Sequence, residues 1–429
     1  MDAAPALIAL AFVAFALVSR RIERTFLTGA MLFVALGLVM GPEILDTVNI
    51  GDPGGLQELL LEATLVIVLF TDASAVNSSH WREEAALPGR LLGIGLPLMI
   101  LGGWTLALAL LGGLEFWEAA ILATMLAPTD AALGKSVVSN PRVPERIRQA
   151  LNVESGLNDG IALPVFVVFL EAAQTAEKAL EFGDFLGELI PEVGVAVIVG
   201  VAVGAGGARS IDWATGRRWA VKYWLEIAVV ALALLAFAVA DPLGGSGFIA
   251  AWVAGATYGR VERSRPGDVH EFAEATGDAL TMGSLLLFGI ALGPILTRVG
   301  WDGVLYAVLS LAVVRLAAVA VSLLGSGLAL PSILYLGWFG PRGLATLILT
   351  IAVVEGTDLA GASTIAEVAL VTVALSVVAH GATSGWGSNA YADWVESQAG
   401  DTSLPESRTV QPVRVPRRSR PGTHGQGKH

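Results

Sequence analysis

The sequence predicts an all-α polytopic membrane protein of about thirteen transmembrane helices, built as an inverted repeat with two discontinuous helices. Composition, the spacing of apolar windows and the placement of basic residues predict it. Of 429 residues, 54% are hydrophobic and only 15% charged, with mean hydropathy +0.68. A soluble domain carries roughly a quarter charged residues. That length suits one membrane domain, residues 1–390, better than several soluble ones. The net charge of -12 argues against nucleic acid as a partner. With no cysteine, disulfides, Cys-ligated zinc and iron–sulfur clusters are excluded.

A span needs about 20 largely apolar residues. Thirteen windows qualify: 3–19, 25–41, 56–76, 88–111, 117–139, 145–171, 185–208, 222–240, 246–260, 271–293, 303–324, 332–355 and 363–384. The first lacks a basic leader and reads as a span, not a cleaved signal. Basic residues fall on alternate loops: Arg20, Arg21 and Arg24; Arg82 and Arg90; Lys135, Arg142, Arg146 and Arg148; Arg209, Arg217, Arg218 and Lys222; Arg260, Arg263 and Arg265. The intervening loops hold only Lys178 and Arg298. This asymmetry places the N-terminus outside and the C-terminus in the cytoplasm, in a multi-pass plasma (cytoplasmic, inner) membrane protein. Residues 397–429 read as a disordered, polar cytoplasmic tail. Their arginines suit contact with membrane lipid, although a merely solvated tail explains them more simply.

The fifth and twelfth windows are interrupted. Pro128 removes an amide donor and disfavours helix at Ala127. Gly337-Trp338-Phe339-Gly340-Pro341-Arg342-Gly343 breaks the twelfth. Seven spans separate the two, so they run in opposite directions, as an inverted repeat of spans 1–6 and 8–13 requires.

Ionisable groups in lipid are costly, so they are candidates for function. Asp130 and Asp159 fall about 16–21 Å into the membrane, near its middle. Ser155 shares a helical face with Asp159, four residues on; Glu154 and Asn158 share the adjacent one. Asp159, Asp130, the Thr129 and Ser155 hydroxyls and freed carbonyls form a hard-oxygen cage. It suits Na⁺ or Li⁺, less clearly K⁺, and no soft metal. A carboxylate at that depth is neutralised by a proton or by a cation, and competition for it couples the two. Asp72 either lines the site or marks its entrance. Glu154 reads as ion-paired, with Arg315 as first partner and Arg342 as second, bracing the site. Glu271, Glu274 and Asp278 read as a cation-attracting funnel or a solvated helix start. His80, His270 and His380 read as structural. Gly200 and Gly204 form a small-xxx-small packing pair.

Two other classes compete. An anion or solute symporter, or a channel, would aim basic groups or helix N-termini at its site. An intramembrane aspartyl protease would use two aspartates, but Gly156-Leu157-Asn158 precedes Asp159 where a Gly-x-Gly pattern is expected.

Ala127-Pro128-Thr129-Asp130 and Glu154-Ser155-Gly156-Leu157-Asn158-Asp159-Gly160 resemble the cation/proton antiporter family of the sodium/proton exchanger type, in its NhaP-like branch. Arg315, Gly340-Pro341-Arg342-Gly343-Leu344 and Gly245-Ser246-Gly247-Phe248-Ile249-Ala250 fit it too. The resemblance implies the Na⁺/H⁺ antiporter fold. Its core would be helices at about 88–171 and 303–384, and its dimer-forming scaffold those at about 3–76 and 185–293. The resemblance also implies a homodimer without cofactors, exchanging Na⁺ (or Li⁺, or K⁺) for H⁺ in pH and sodium homeostasis. The family's ion-binding aspartate falls on Asp159, with Thr129, Asp130 and Ser155 around it. Asn158 matches the asparagine found where electrogenic relatives carry a second aspartate, implying electroneutral 1:1 exchange. Asp72 departs from the usual residue at its position.

Overall fold

The computed structural model describes residues 4–22, 25–46, 55–75, 86–178, 182–262, 269–398 and Glu406, and among these it is helical with no strand. Arg82, His80 and nearly all of the tail lie outside the described residues, as do the side chains of His270 and Glu271. The helices are α1 (Ala4–Ile22), α2 (Gly29–Met40), α3 (Gly55–Ala75), α4 (Ala86–Leu110), α5 (Phe116–Met125), α6 (Ala131–Val138), α7 (Glu145–Lys178) and α8 (Phe182–Gly216). There follow α9 (Lys222–Ala240), α10 (Gly247–Val261), α11 (Val269–Arg298), α12 (Trp301–Ser322), α13 (Leu330–Trp338), α14 (Leu344–Gly356) and α15 (Ala362–Ser397).

Eight described helices are long and apolar enough to cross a membrane, and α2, α5 and α14 are shorter apolar ones. Every window contains helix; the fifth contains the pair α5 and α6, and the twelfth the pair α13 and α14. The remaining differences are at ends. The last helix runs to Ser397 instead of residue 384. Its final turns mix polar residues with Tyr391, Trp394 and Val395, which pack on an apolar cluster, and Arg142, before α7, reaches across to Asp393 and to Glu396 on it. One buried face, carried by Tyr391 and Ala392, thus continues beyond the window, while polar residues on the other face end the apolar run.

The irregularities recur seven windows apart. The breaks sit in windows five and twelve, and π-helical turns interrupt α4 at Leu91–Gly95 and α12 at Ser310–Val314, in windows four and eleven. Such turns re-aim the residues that follow them. The turn in α12 is followed directly by Arg315.

Helices α8 and α10 meet where Gly204 stands; a Cβ there would lie 2.3 Å from the Ala254 carbonyl oxygen. Gly200 meets α10 one turn away, so the small pair serves packing. Elsewhere apolar clusters fill the interior. One joins α3 with α14 through Leu61, Leu65, Leu69, Leu344 and Ile348.

Candidate functional site

At a break in a helix, carbonyls lose their partners, and at membrane depth each must find another. Here side chains and crossing backbone supply them. The Asp130 amide donates to the Pro341 carbonyl at 2.8 Å, so the two broken spans cross at hydrogen-bonding distance. Thr346 Oγ1 donates to the Met125 carbonyl at the end of α5, at 2.9 Å. Arg315 Nη2 donates to Leu336 O at 3.2 Å, and Arg342 Nη1 to Gly340 O at 2.8 Å.

Asp130 caps two helices at once. Its Oδ1 accepts from the Leu133 amide of α6 at 3.1 Å, and its Oδ2 from the Leu344 amide of α14 at 2.8 Å. Both α6 and α14 point their positive N-terminal ends at this carboxylate. The expectation of Asp130 as a cation ligand therefore meets a carboxylate already engaged through both oxygens. The same contact removes the strongest argument for an anion carrier, because the two helix ends already hold a built-in anion.

Thr129, Ser155 and Asn158 come together beside the crossing. The Thr129 and Ser155 hydroxyls are 2.8 Å apart. Asn158 Nδ2 donates to Thr129 Oγ1 at 2.8 Å and to Thr129 O at 3.3 Å. Thr129 and Asn158 are each 1% exposed. Buried polar atoms normally have partners, yet Asn158 Oδ1 and Asp159 Oδ1 have none. Two acceptor oxygens on consecutive residues of α7 thus lie buried with spare coordinating capacity, the first of them on a residue bonded to the hydroxyl pair. Asp72, Asp130 and Arg342 interact electrostatically with Asp159.

Glu154 and Arg315 are brought together as a buried, forked pair: Nη1 to Oε1 at 2.9 Å and Nη2 to Oε2 at 3.2 Å, both side chains almost fully buried. Arg342 departs from the ion-pair expectation. Among the described residues it forms no salt bridge; its guanidinium donates to Gly340 O, and its amide donates to Ser376 Oγ at 2.7 Å. The reason is geometric: Arg315 occupies both Glu154 oxygens. Of the histidines, His380 is buried, bonded to Ser376 and packed against Trp338.

Asp72 lines a cavity of about 470 Å³ between α3, α6, α7 and α11. Asn152 on α7 lines it too, one turn before Ser155. A water-sized gap of about 10 Å³ lies against Asn152, Ser155, Phe339 and Pro341. At the cavity wall, Lys135 Nζ binds Glu274 at 2.9 Å and Asp278 at 2.6 Å. Two of the three acids of the expected funnel are thus engaged by a basic residue on α6.

Sequence reasoning missed Glu118. It is 3% exposed; its Oε2 accepts from the Glu115 amide at 2.8 Å and its Oε1 from the Gly361 amide at 2.7 Å. The spacing Glu115–Glu118 is that of a capping box and could have flagged it. Its bond to the start of α15 has no local signal.

The profile of the transmembrane sodium/hydrogen exchanger family matches residues 8–387. The chain belongs to the sodium/hydrogen exchanger family. Among its relatives, the K(+)/H(+) antiporter NhaP of Alkalimonas amylolytica is 25% identical over 404 residues, covering 91% of this chain and 66% of that protein. The Na(+)/H(+) antiporter 2 of Zygosaccharomyces rouxii is 25% identical over 261 residues, 57% of this chain and 31% of its own. This chain therefore spans just under two thirds of the first relative and about a third of the second. In fold it is similar to the sodium proton antiporter MjNhaP1 from Methanocaldococcus jannaschii, with TM-score 0.74 at 21% identity. That match covers 91% of this chain and all of the other.

Proposed function

We propose that this exchanger-family chain is a secondary antiporter carrying a monovalent cation one way and a proton the other, through Asp159. The observation that carries the reading is the buried, unpartnered Oδ1 of Asp159, one residue after the unpartnered Asn158 oxygen and one helical turn after Ser155 of the Thr129–Ser155 hydroxyl pair. A proton on that oxygen supplies a donor, and a cation supplies a positive charge; each removes the cost of the buried anion. Occupancy is exclusive, and exclusivity is exchange. Thr129, Ser155 and Asn158 complete the cation shell, Asp130 balances the helix ends and contributes its remaining lone pairs, and Glu154–Arg315 fixes the α7 face. Asp72 receives ions from the cavity.

We take Na⁺ or Li⁺ as the cation, since the donors are hard oxygens. K⁺ is the second reading, favoured by relatives named as K(+)/H(+) antiporters. Selectivity between them turns on cage size. One acid carries the exchange, so the stoichiometry is one for one. The protein works as a homodimer in the cytoplasmic membrane, with its N-terminus outside, in pH and sodium homeostasis. Core helices 88–171 and 303–384 move against the scaffold, with no cofactor and no enzymatic step.

In inside-out vesicles with a respiration-driven ΔpH, added Na⁺ or Li⁺ dissipates the gradient, and Asp159→Ala abolishes the response. Wild-type and variant vesicles that respond alike refute the assignment. Running Li⁺, Na⁺, K⁺ and Rb⁺ side by side assigns the ion.

A further inference from the structure

Trp252 belongs to α10, and α10 packs beside the Asp159 helix. The indole Nε1 donates to the Gly156 carbonyl at 3.3 Å. A Cβ on Gly160 would lie 2.0–2.4 Å from the ring atoms of Trp252. The indole therefore occupies a notch that exists because Gly160 carries no side chain, and Asp159 stands next to it in sequence. Along this face of α7, at four-residue steps, stand Asn152, Gly156, Gly160 and Pro164. Only the Gly156–Gly160 step is glycine at both ends. The notch thus fits one register of α7 against α10.

The surroundings differ on the two sides of that register. Toward Asp72 and Asn152 lies the open cavity. On the other side Trp252 packs on the apolar cluster of Leu61, Leu65, Leu69, Leu344 and Ile348, all under 6% exposed. Val68 touches both: it lines the cavity and packs on the cluster. The ion site therefore has a wet approach and a dry one.

We infer that Trp252 is a positioning residue: its indole, seated in the Gly156–Gly160 notch, locks the Asp159 helix in the register that closes the site on the outer, apolar side. The inference rests on the antiport reading and on the proposed orientation. For Asp159 to face the other way the ring must leave the notch; a slide of one turn, about 5.4 Å, brings Asn152 and Gly156 under it. The indole N–H then loses its carbonyl, and the apolar cluster parts between α3 and α14. Weakening the lock shifts the population toward the outward-facing state.

The chain has no cysteine, so one introduced thiol reports accessibility without background. Leu65→Cys places it in the dry cluster, at a position 2% exposed. Intact cells are treated with a membrane-impermeant maleimide from outside. Against Leu65→Cys alone, adding Trp252→Phe, which removes the donor, or Gly160→Ala, which fills the notch, accelerates labelling roughly threefold to tenfold, the range a single net hydrogen bond commands. In proteoliposomes the same substitutions lower the KM for the cation on the outer side and raise it on the inner side. A merely structural defect lowers kcat and leaves the two KM values in their original ratio. Unchanged labelling and an unchanged KM ratio, in variants that elute as folded protein, overturn the lock. If wild-type vesicles fail the ΔpH assay while labelling still accelerates, the antiport reading falls and the lock stands.

Discussion

The ionisable side chains in the broken-helix region have different partners, and substitutions should separate them. Glu154 compensates Arg315 in a pair almost wholly removed from water. Removing one partner of such a pair leaves the other charge buried and costs about 3–5 kcal/mol. Glu154→Ala should therefore lower folded yield on size exclusion far more than it alters the Li⁺, Na⁺ and K⁺ preference. Normal yield with changed preference would make Glu154 a ligand. Asp130 offsets two helix N-termini, each such interaction contributing about 0.3–1 kcal/mol and up to about 2 when partly buried. Asp130→Asn should lower the melting temperature in detergent while retaining part of the exchange that Asp159→Ala abolishes. Equal loss of exchange in both variants would give the acids one role. The difference between these residues was only partly legible in the sequence. Spacing put Asp159 on the face of Ser155, because helical geometry is local. That Asp130 would cap α14 depends on a residue 214 positions away, and no local pattern encodes it. The choice between Arg315 and Arg342 for Glu154 stayed open in the sequence for the same reason: both arginines are more than 150 residues from it, and the first-ranked, Arg315, makes the pair.

At the scale of elements, the breaks were readable because proline and glycine act on the backbone directly. Pro128 and the run from Gly337 to Gly343 predict interruptions in windows five and twelve, where α5 ends at Met125 and α13 at Trp338. The π turns in α4 and α12 were not readable, since no residue type demands them. Nor was the tie between α6 and α11. There Lys135 holds Glu274 and Asp278 at the wall of the cavity, with all three side chains 41–61% exposed. Pairs that exposed contribute little to stability, about 0–1 kcal/mol, but on the proposed reading, in which ions reach Asp72 through the cavity, their charges act on the entering ion. Lys135→Gln leaves two acids uncompensated there. It should leave thermal stability nearly unchanged and lower the KM for the cation on the cavity side, an effect that fades as ionic strength rises and the Debye length shrinks. A KM insensitive to both the substitution and salt would separate this cluster from the ion path.

For the molecule as a whole, the question is how much charge crosses the membrane in one cycle. Among the buried groups near the crossing, Glu154 and Arg315 cancel each other, and Asp130 is set against two helix ends. Asn158 contributes an oxygen without a charge. Arg342 is a further buried cation, without a salt bridge among the described residues, and it keeps its charge throughout; under the proposed antiport, Asp159 is the group whose neutralisation alternates between proton and cation. If one cation leaves as one proton enters, the loaded and protonated forms carry the same charge in both directions, and the membrane potential does no net work on the cycle. A second acid alternating in the same way would move an extra charge, worth about 2.3 kcal/mol per 100 mV. Exchange in proteoliposomes clamped with K⁺ and valinomycin, with Na⁺ as the transported ion, should therefore run at the same rate at zero and at 100 mV of imposed potential. Competition for a single oxygen makes a companion demand by mass action: once protons occupy the site for most of the time, each further unit of acidification should raise the KM for Na⁺ about tenfold. A rate that climbs with voltage would bring Asp72 or Asp130 into the cycle as a second carrier. A KM that rose about a hundredfold per pH unit would do the same from the chemical side, because two protons would then be leaving for each cation bound.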